Sequence, residues 1–90
     1  MGRPSEDGLP RLPGLREAAQ RRRVVLDELV AARHRTGLSQ TEVAARMGTS
    51  QSVVGRLEGG GVDARLSTLE RYAAAVGHRL DVRLSHEEEA

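Results

Sequence analysis

Ninety residues, no cysteine and a single aromatic residue, Tyr72, confine this chain to one small domain with an aliphatic core, and they exclude a disulfide framework and thiol chemistry. The 14 basic residues are all Arg; set against 13 acidic ones they leave a formal net charge of +1, so any affinity for nucleic acid has to come from a local basic surface. No run of about 18 apolar residues is present and the first residues lack the apolar stretch of a signal peptide, so the expectation is a protein of the cytoplasm with no helical membrane span.

Residues 1–14 hold every proline of the chain (Pro4, Pro10, Pro13) together with Gly2, Gly8 and Gly14. That is the composition of an irregular, disordered arm, either a frayed terminus or a segment that orders on DNA or on a protein partner. Leu15 to Arg35 contains neither Gly nor Pro. Leu15, Ala18, Ala19, Arg22, Val25, Leu26, Leu29, Val30 and Arg33 recur at helical spacing. They predict one helix of up to about twenty residues, or a short helix running into a second, closed by Thr36-Gly37. The run Arg21–Arg23 reads either as a solvated face or as a contact for phosphate or a partner.

Ser39 to Glu58 carries the densest local signals. Glu42 stands three residues after Ser39, the spacing of a capping box. Val43, Ala44 and Met47 give the helix that follows one apolar face, with Ala44 small where a second helix crosses closely. Gly48 supplies the positive φ that a helix end commonly needs, and Ser50 the hydroxyl that caps a second helix. Val54 and Leu57 form the buried face of that second helix; Gln51, Ser52, Gly55 and Arg56 form its polar or small face. Two helices joined in this way present the second to the major groove of DNA, with its first residues at the base edges. Gln makes paired hydrogen bonds to adenine and Arg to guanine, while Ser serves bases or phosphates. Gln40, at the start of the first helix, is placed for a phosphate, where the helix dipole favours an anion. The candidate DNA-binding residues are Gln40, Thr49, Ser50, Gln51, Ser52, Gly55 and Arg56, with Arg65 further along as a phosphate contact.

Gly59-Gly60-Gly61 predicts a flexible loop that Val62 to Arg65 completes. The next helix is expected to start near Leu66 or Ser67, where Ser67 and Glu70 have capping-box spacing, and to bury Leu66, Leu69, Tyr72, Ala73 and Val76 before Gly77 stops it. His78 to Ser85 then alternates, with Leu80, Val82 and Leu84 on one side and Arg79, Asp81, Arg83 and Ser85 on the other. This is the two-residue period of a half-buried strand. No other segment reads as a strand, so its economical partner is the same strand of a second subunit, paired antiparallel across a dimer. His86 to Ala90 is an acidic tail.

The run LSQTEVAARMGTSQSVVGRLEGG resembles the helix-turn-helix of the Cro/C1-type repressors, the Xre family, over roughly Val25 to Val76. Gln40, Ala44, Gly48, Val54 and the pair Leu57-Glu58 carry the resemblance. It implies an all-α, five-helix, lambda repressor-like domain over residues 15–77, with the 78–85 strand pairing across a dimer as in HipB- or HigA-like antitoxins. It places Gln51, Ser52 and Arg56 on base-reading positions and Gln40 and Ser50 on backbone-contacting ones. It also implies an ion pair between Arg33 and Glu58 that joins two helices. The family often has Asn-Gly after Leu-Glu, where this chain has Gly59-Gly60. A side chain able to touch phosphate is missing there, and backbone N–H groups remain.

Chemistry of the enzymatic kind finds little support. His34, His78 and His86 are scattered and match no metal-ligand pattern, and Gly59-Gly60-Gly61 is not followed by the Gly-Lys-Ser/Thr of a phosphate loop. The expectation is a non-enzymatic protein without cofactor or metal. The resemblance implies a homodimeric, nucleoid-associated repressor that reads a palindromic operator in double-stranded DNA. The alternative is an antitoxin that also binds a small toxin protein and represses its own operon. A third option, a pure interaction module without DNA binding, rests on the near-neutral charge alone.

Overall fold

In a computed structural model of the chain, which describes residues 14–86, four helices make up the regular structure. α1 spans Leu15–Arg35, α2 Gln40–Met47, α3 Gln51–Glu58 and α4 Leu66–Ala75. α1 is one helix of 21 residues, because nothing in it interrupts the hydrogen-bond ladder. The described residues therefore hold four helices, not the five of the lambda repressor-like arrangement. The arm up to residue 13 and the tail from residue 87 lie outside the described residues.

The core is built where the apolar stripes of the helices meet. Leu26, Leu29 and Ala32 of α1 pack with Val43, Ala44 and Met47 of α2, Val54 and Leu57 of α3, and Tyr72, Ala73 and Ala75 of α4, closed by Val76. Tyr72 supplies the one ring and is 1 % exposed. Three residues assigned to apolar faces by their spacing lie outside. Ala19 and Arg22 are exposed; among the described side chains, those of α1 that join the core begin at Val25 and Leu26. Leu66 is 49 % exposed because it is the first residue of α4, at the rim of the core. The helix starts there with Arg65 as its N-cap and no side-chain cap; Ser67 is already inside the first turn, so the capping box expected at Ser67–Glu70 does not form.

Each helix closes with the same pair of backbone hydrogen bonds. At α2, Gly48 N donates to Ala45 O (3.2 Å) and Thr49 N to Ala44 O (2.9 Å), an arrangement that needs the positive φ of Gly48 (75°). The end of α4 is further held from α2, where Arg46 Nη1 donates to Ala75 O (2.9 Å).

Residues 78–86 carry no strand. The strand expected over 78–85, to pair across a dimer, is therefore not found among the described residues: a strand exists by its ladder to a neighbour, and no other described segment runs beside it. Leu80 packs against the core, whereas Val82 is 58 % exposed and Leu84 fully exposed. No helix among the described residues is long and apolar enough to cross a membrane.

Candidate nucleic-acid interface

α2 and α3 are set against each other by the turn Gly48-Thr49-Ser50. Ser39 opens α2 with both halves of a capping box: its hydroxyl accepts from Glu42 N (3.0 Å), and its own N donates to Glu42 Oε1 (2.8 Å). The Ser39 backbone N–H first, and then the Ser39 hydroxyl beside it, hold the Glu42 carboxyl below its ordinary range. Ser50 caps α3, its Oγ accepting from Val53 N (3.4 Å) and lying 3.2 Å from Ser52 Oγ. α3 buries Val54 and Leu57 and turns Gln51, Ser52 and Arg56 to solvent, with Gly55 half-buried between them.

All four helices meet at the last residue of α3. Glu58 Oε2 accepts from Arg33 Nε of α1 (2.7 Å) and from Tyr72 OH of α4 (2.5 Å); Oε1 accepts from Arg33 Nη2 (3.0 Å) and from Gln40 Nε2 of α2 (2.9 Å). The side chains of Arg33 and Glu58 are only 10 % and 9 % exposed. Arg33 Nη1 also donates to Leu38 O (3.0 Å). Burial alone would raise the Glu58 carboxyl, but the hydrogen bonds from Arg33, Tyr72 and Gln40 outweigh it and hold the group below its ordinary value of 4.5. Glu58 is thus a carboxylate at neutral pH. Its partner Arg33 is pushed up chiefly by the bond to Glu58, and Tyr72 is pushed up by burial and then by the same carboxylate.

That charge fixes the orientation of two amides in succession. An ionised carboxylate only accepts, so Gln40 must turn its NH2 group to Glu58 and its oxygen outward. Gln40 Oε1 then accepts from Gln51 Nε2 (2.5 Å). Gln51, the first residue of α3, is left with one free N–H and its carbonyl oxygen. Those two groups match the N7 acceptor and N6 donor that adenine shows in the major groove. The pair lies over Gly55, where a Cβ would meet Gln40 Oε1 at 3.5 Å and Gln51 Nε2 at 3.7 Å, ordinary van der Waals contact.

Of the candidate DNA-contacting residues, Gln40, Gln51, Ser52, Gly55 and Arg56 lie on or beside one face of α3, with Ser50 at its N-cap. Thr49 is half-buried in the turn. Arg65 is exposed at the N-cap of α4 and lines a shallow groove with Val53, Val62, Thr68 and Arg71, so two arginines stand next to α3. The residues that sequence reasoning did not join are Gln40 with Gln51 and Glu58, and Tyr72 with Glu58. One signal was available for the second pair, since a buried Tyr hydroxyl needs a polar partner. Among the described residues, no group of three His, Cys, Asp or Glu is placed to hold a metal ion.

A helix-turn-helix domain family model matches residues 11–85. Two curated relatives, each named Antitoxin HigA1, from Mycobacterium tuberculosis strains CDC 1551 / Oshkosh and ATCC 25618 / H37Rv, are 45% identical over 71 residues, which is 79% of this chain and 48% of theirs. The chain spans about half the length of the curated relatives it matches. No solved structure matches it significantly.

Proposed function

The chain belongs to the helix-turn-helix domain family, and from that premise we propose that it is a sequence-specific regulator that reads double-stranded DNA through α3. The observation that carries this reading is the relay from Glu58 through Gln40 to Gln51, which sets a base-reading amide in one orientation before DNA arrives. Preorganisation of this kind lowers the ordering cost of binding. Gln51 reads adenine, Arg56 guanine, and Ser52 a base or a phosphate. Ser50, Thr49, Arg65 and the remaining N–H of Gln40 face the phosphate backbone.

The unit that binds is a homodimer in the cytoplasm, on the nucleoid. Leu80, Val82 and Leu84 alternate along a segment that lacks a partner strand within the described chain, and pairing it with a second copy would cover Val82 and Leu84. Two recognition helices would then enter successive major grooves about 34 Å apart on a palindromic operator, and occupation of a promoter gives repression. Sedimentation of wild type and Leu84→Asp tests the dimer: the variant is expected to be monomeric, and a monomeric wild type at micromolar concentration overturns this part. The DNA reading is tested by fluorescence anisotropy on a selected operator and a scrambled duplex; equal affinity for the two overturns it.

The 45% identity to Antitoxin HigA1 favours a second role as an antitoxin that binds a small toxin protein and represses their shared operon. A tagged pull-down from the native host after nuclease treatment tests it. A stoichiometric small partner supports the role, and recovery of the homodimer alone refutes it.

A further inference from the structure

We infer that Arg23 is a positioning residue for DNA reading, a clamp through which the N-terminal half of α1 holds the last turn of the recognition helix in place; the inference rests on the DNA-reading role proposed for α3. The last carbonyls of a helix have no partner inside the helix and must find one elsewhere. At α3 the loop supplies three: Gly59 N donates to Gly55 O (3.0 Å), Gly60 N to Leu57 O (3.1 Å) and Gly61 N to Arg56 O (3.1 Å). The carbonyl left over, Glu58 O, accepts from Arg23 Nη2 (2.8 Å), 35 residues away in sequence. The same guanidinium is steadied on its own helix, where Nε donates to Asp27 Oδ1 (3.0 Å). Beside it, the neighbouring Arg22 places its Nε 3.6 Å from Asp63 Oδ1 in the loop after α3.

The loop is shaped around this side chain. Gly60 has φ 75°, and a Cβ there would sit 2.6 Å from Arg23 Nη1. Any other residue at 60 would have to drive the guanidinium away as well as strain the backbone. A positive charge at a helix C-terminus also meets the negative end of the dipole. The effect bears on function because α3 has only eight residues, too few to hold its own ends, and because Arg56 lies in the turn that Arg23 closes. Fixing that turn fixes where Arg56 stands relative to Gln51. The run Arg21–Arg23 is therefore not a uniform basic face: Arg21 and Arg22 are exposed, Arg22 lying near Asp63, whereas Arg23 is half-buried against the end of α3.

The test uses the full chain and the variants Arg23→Ala, Arg23→Lys, Gly60→Ala and the double variant Arg23→Ala/Gly60→Ala. Amide hydrogen exchange of the free protein reads the clamp without DNA. Arg23→Ala is expected to speed exchange at Gly60 and Gly61 by roughly tenfold, the loss of one charge-assisted hydrogen bond. Anisotropy over a salt series reads the consequence. Operator affinity should fall by about tenfold while affinity for scrambled DNA and the salt dependence stay as in the wild type. Arg23→Lys should not rescue, because one ammonium cannot hold Glu58 O and Asp27 together. Gly60→Ala should cost less operator affinity in the Arg23→Ala background than alone, since there is no guanidinium left to displace. Unchanged exchange at Gly60 and Gly61 overturns the clamp. So does rescue by Lys together with a salt slope lowered by about one in Arg23→Ala, which marks a phosphate contact instead. A wild type that binds operator and scrambled DNA equally, with exchange altered as expected, overturns the DNA reading and leaves the clamp a purely structural one.

Discussion

Replacing Glu58 with Gln removes one charge at the point where all four helices meet. The carboxylate accepts four hydrogen bonds, two from Arg33 and one each from Gln40 and Tyr72. A Gln side chain accepts at one end and donates at the other, so at least one of the two oxygen positions would confront its donors with an NH2 group. Arg33 is 8 % exposed and would keep Leu38 O and one bond to the remaining amide oxygen, with no negative charge to balance its own. Removing one member of a buried ion pair in this way costs about 3–5 kcal/mol, because the other charge stays behind without compensation. In a domain of this size about 1 kcal/mol moves the melting temperature by about 4–8 °C, so Glu58→Gln should lower it by about 12 °C or more. The cost is a large share of the roughly 5–15 kcal/mol that holds a small domain folded. Circular dichroism at 222 nm follows the transition, at one fixed protomer concentration so that self-association does not distort the comparison. A melting temperature within about 4 °C of the wild type, which corresponds to about 1 kcal/mol, refutes the reasoning.

Further outcomes follow from the same cluster and from α3. Because the Glu58 carboxyl is held below 4.5 in the folded chain, its contribution to stability is present above that pH and is lost as pH falls through the folded value; denaturation midpoints between pH 7 and pH 3 should fall more steeply in the wild type than in Glu58→Gln. Tyr72→Phe keeps the ring in the core and removes only the bond to Glu58, so chemical denaturation should show a loss of about 1.5–3 kcal/mol, and a loss of less than half a kcal/mol, roughly, would contradict it. Arg56→Ala should weaken operator binding by about 1–3 kcal/mol and relax preference at one base pair of each half-site, as read by competition with single-substituted duplexes.

The residues of α2 and α3 were legible in the sequence because their signals are local. A capping box, a glycine at a helix end and a serine N-cap each lie within four residues of what they control, and each forms as the spacing indicates. The apolar stripe of α1 was legible only where it meets the other helices. Ala19 and Arg22 keep the period but lie outside the core, and Ala32, a small residue beside Ala31 near the end of α1, is 2 % exposed although it stands outside the expected stripe. The Arg33–Glu58 contact came from resemblance rather than from spacing, since 25 residues separate the two. The bonds of Gln40 and of Tyr72 to Glu58, and that of Arg23 to the end of α3, span 14 to 35 residues and depend on tertiary packing that no local pattern encodes. The segment 78–85 kept the period of a strand in its sequence, yet a period specifies only which side chains share a face; the ladder itself requires a neighbour.

The measurement that bears most directly on the central claim is selection of binding sites from a randomised duplex library, carried out in parallel with the wild type, Gln51→Ala and Gln40→Ala. The wild type is expected to recover one palindromic sequence. Gln51→Ala should lose the preference for a single adenine in each half-site and keep the rest. Gln40→Ala should weaken the same adenine preference, because Gln51 is then no longer held in one orientation. A wild type that enriches no sequence, or a Gln51→Ala variant that recovers the wild-type motif unchanged, would contradict the claim that α3 reads DNA through an amide set in place by Gln40 and Glu58.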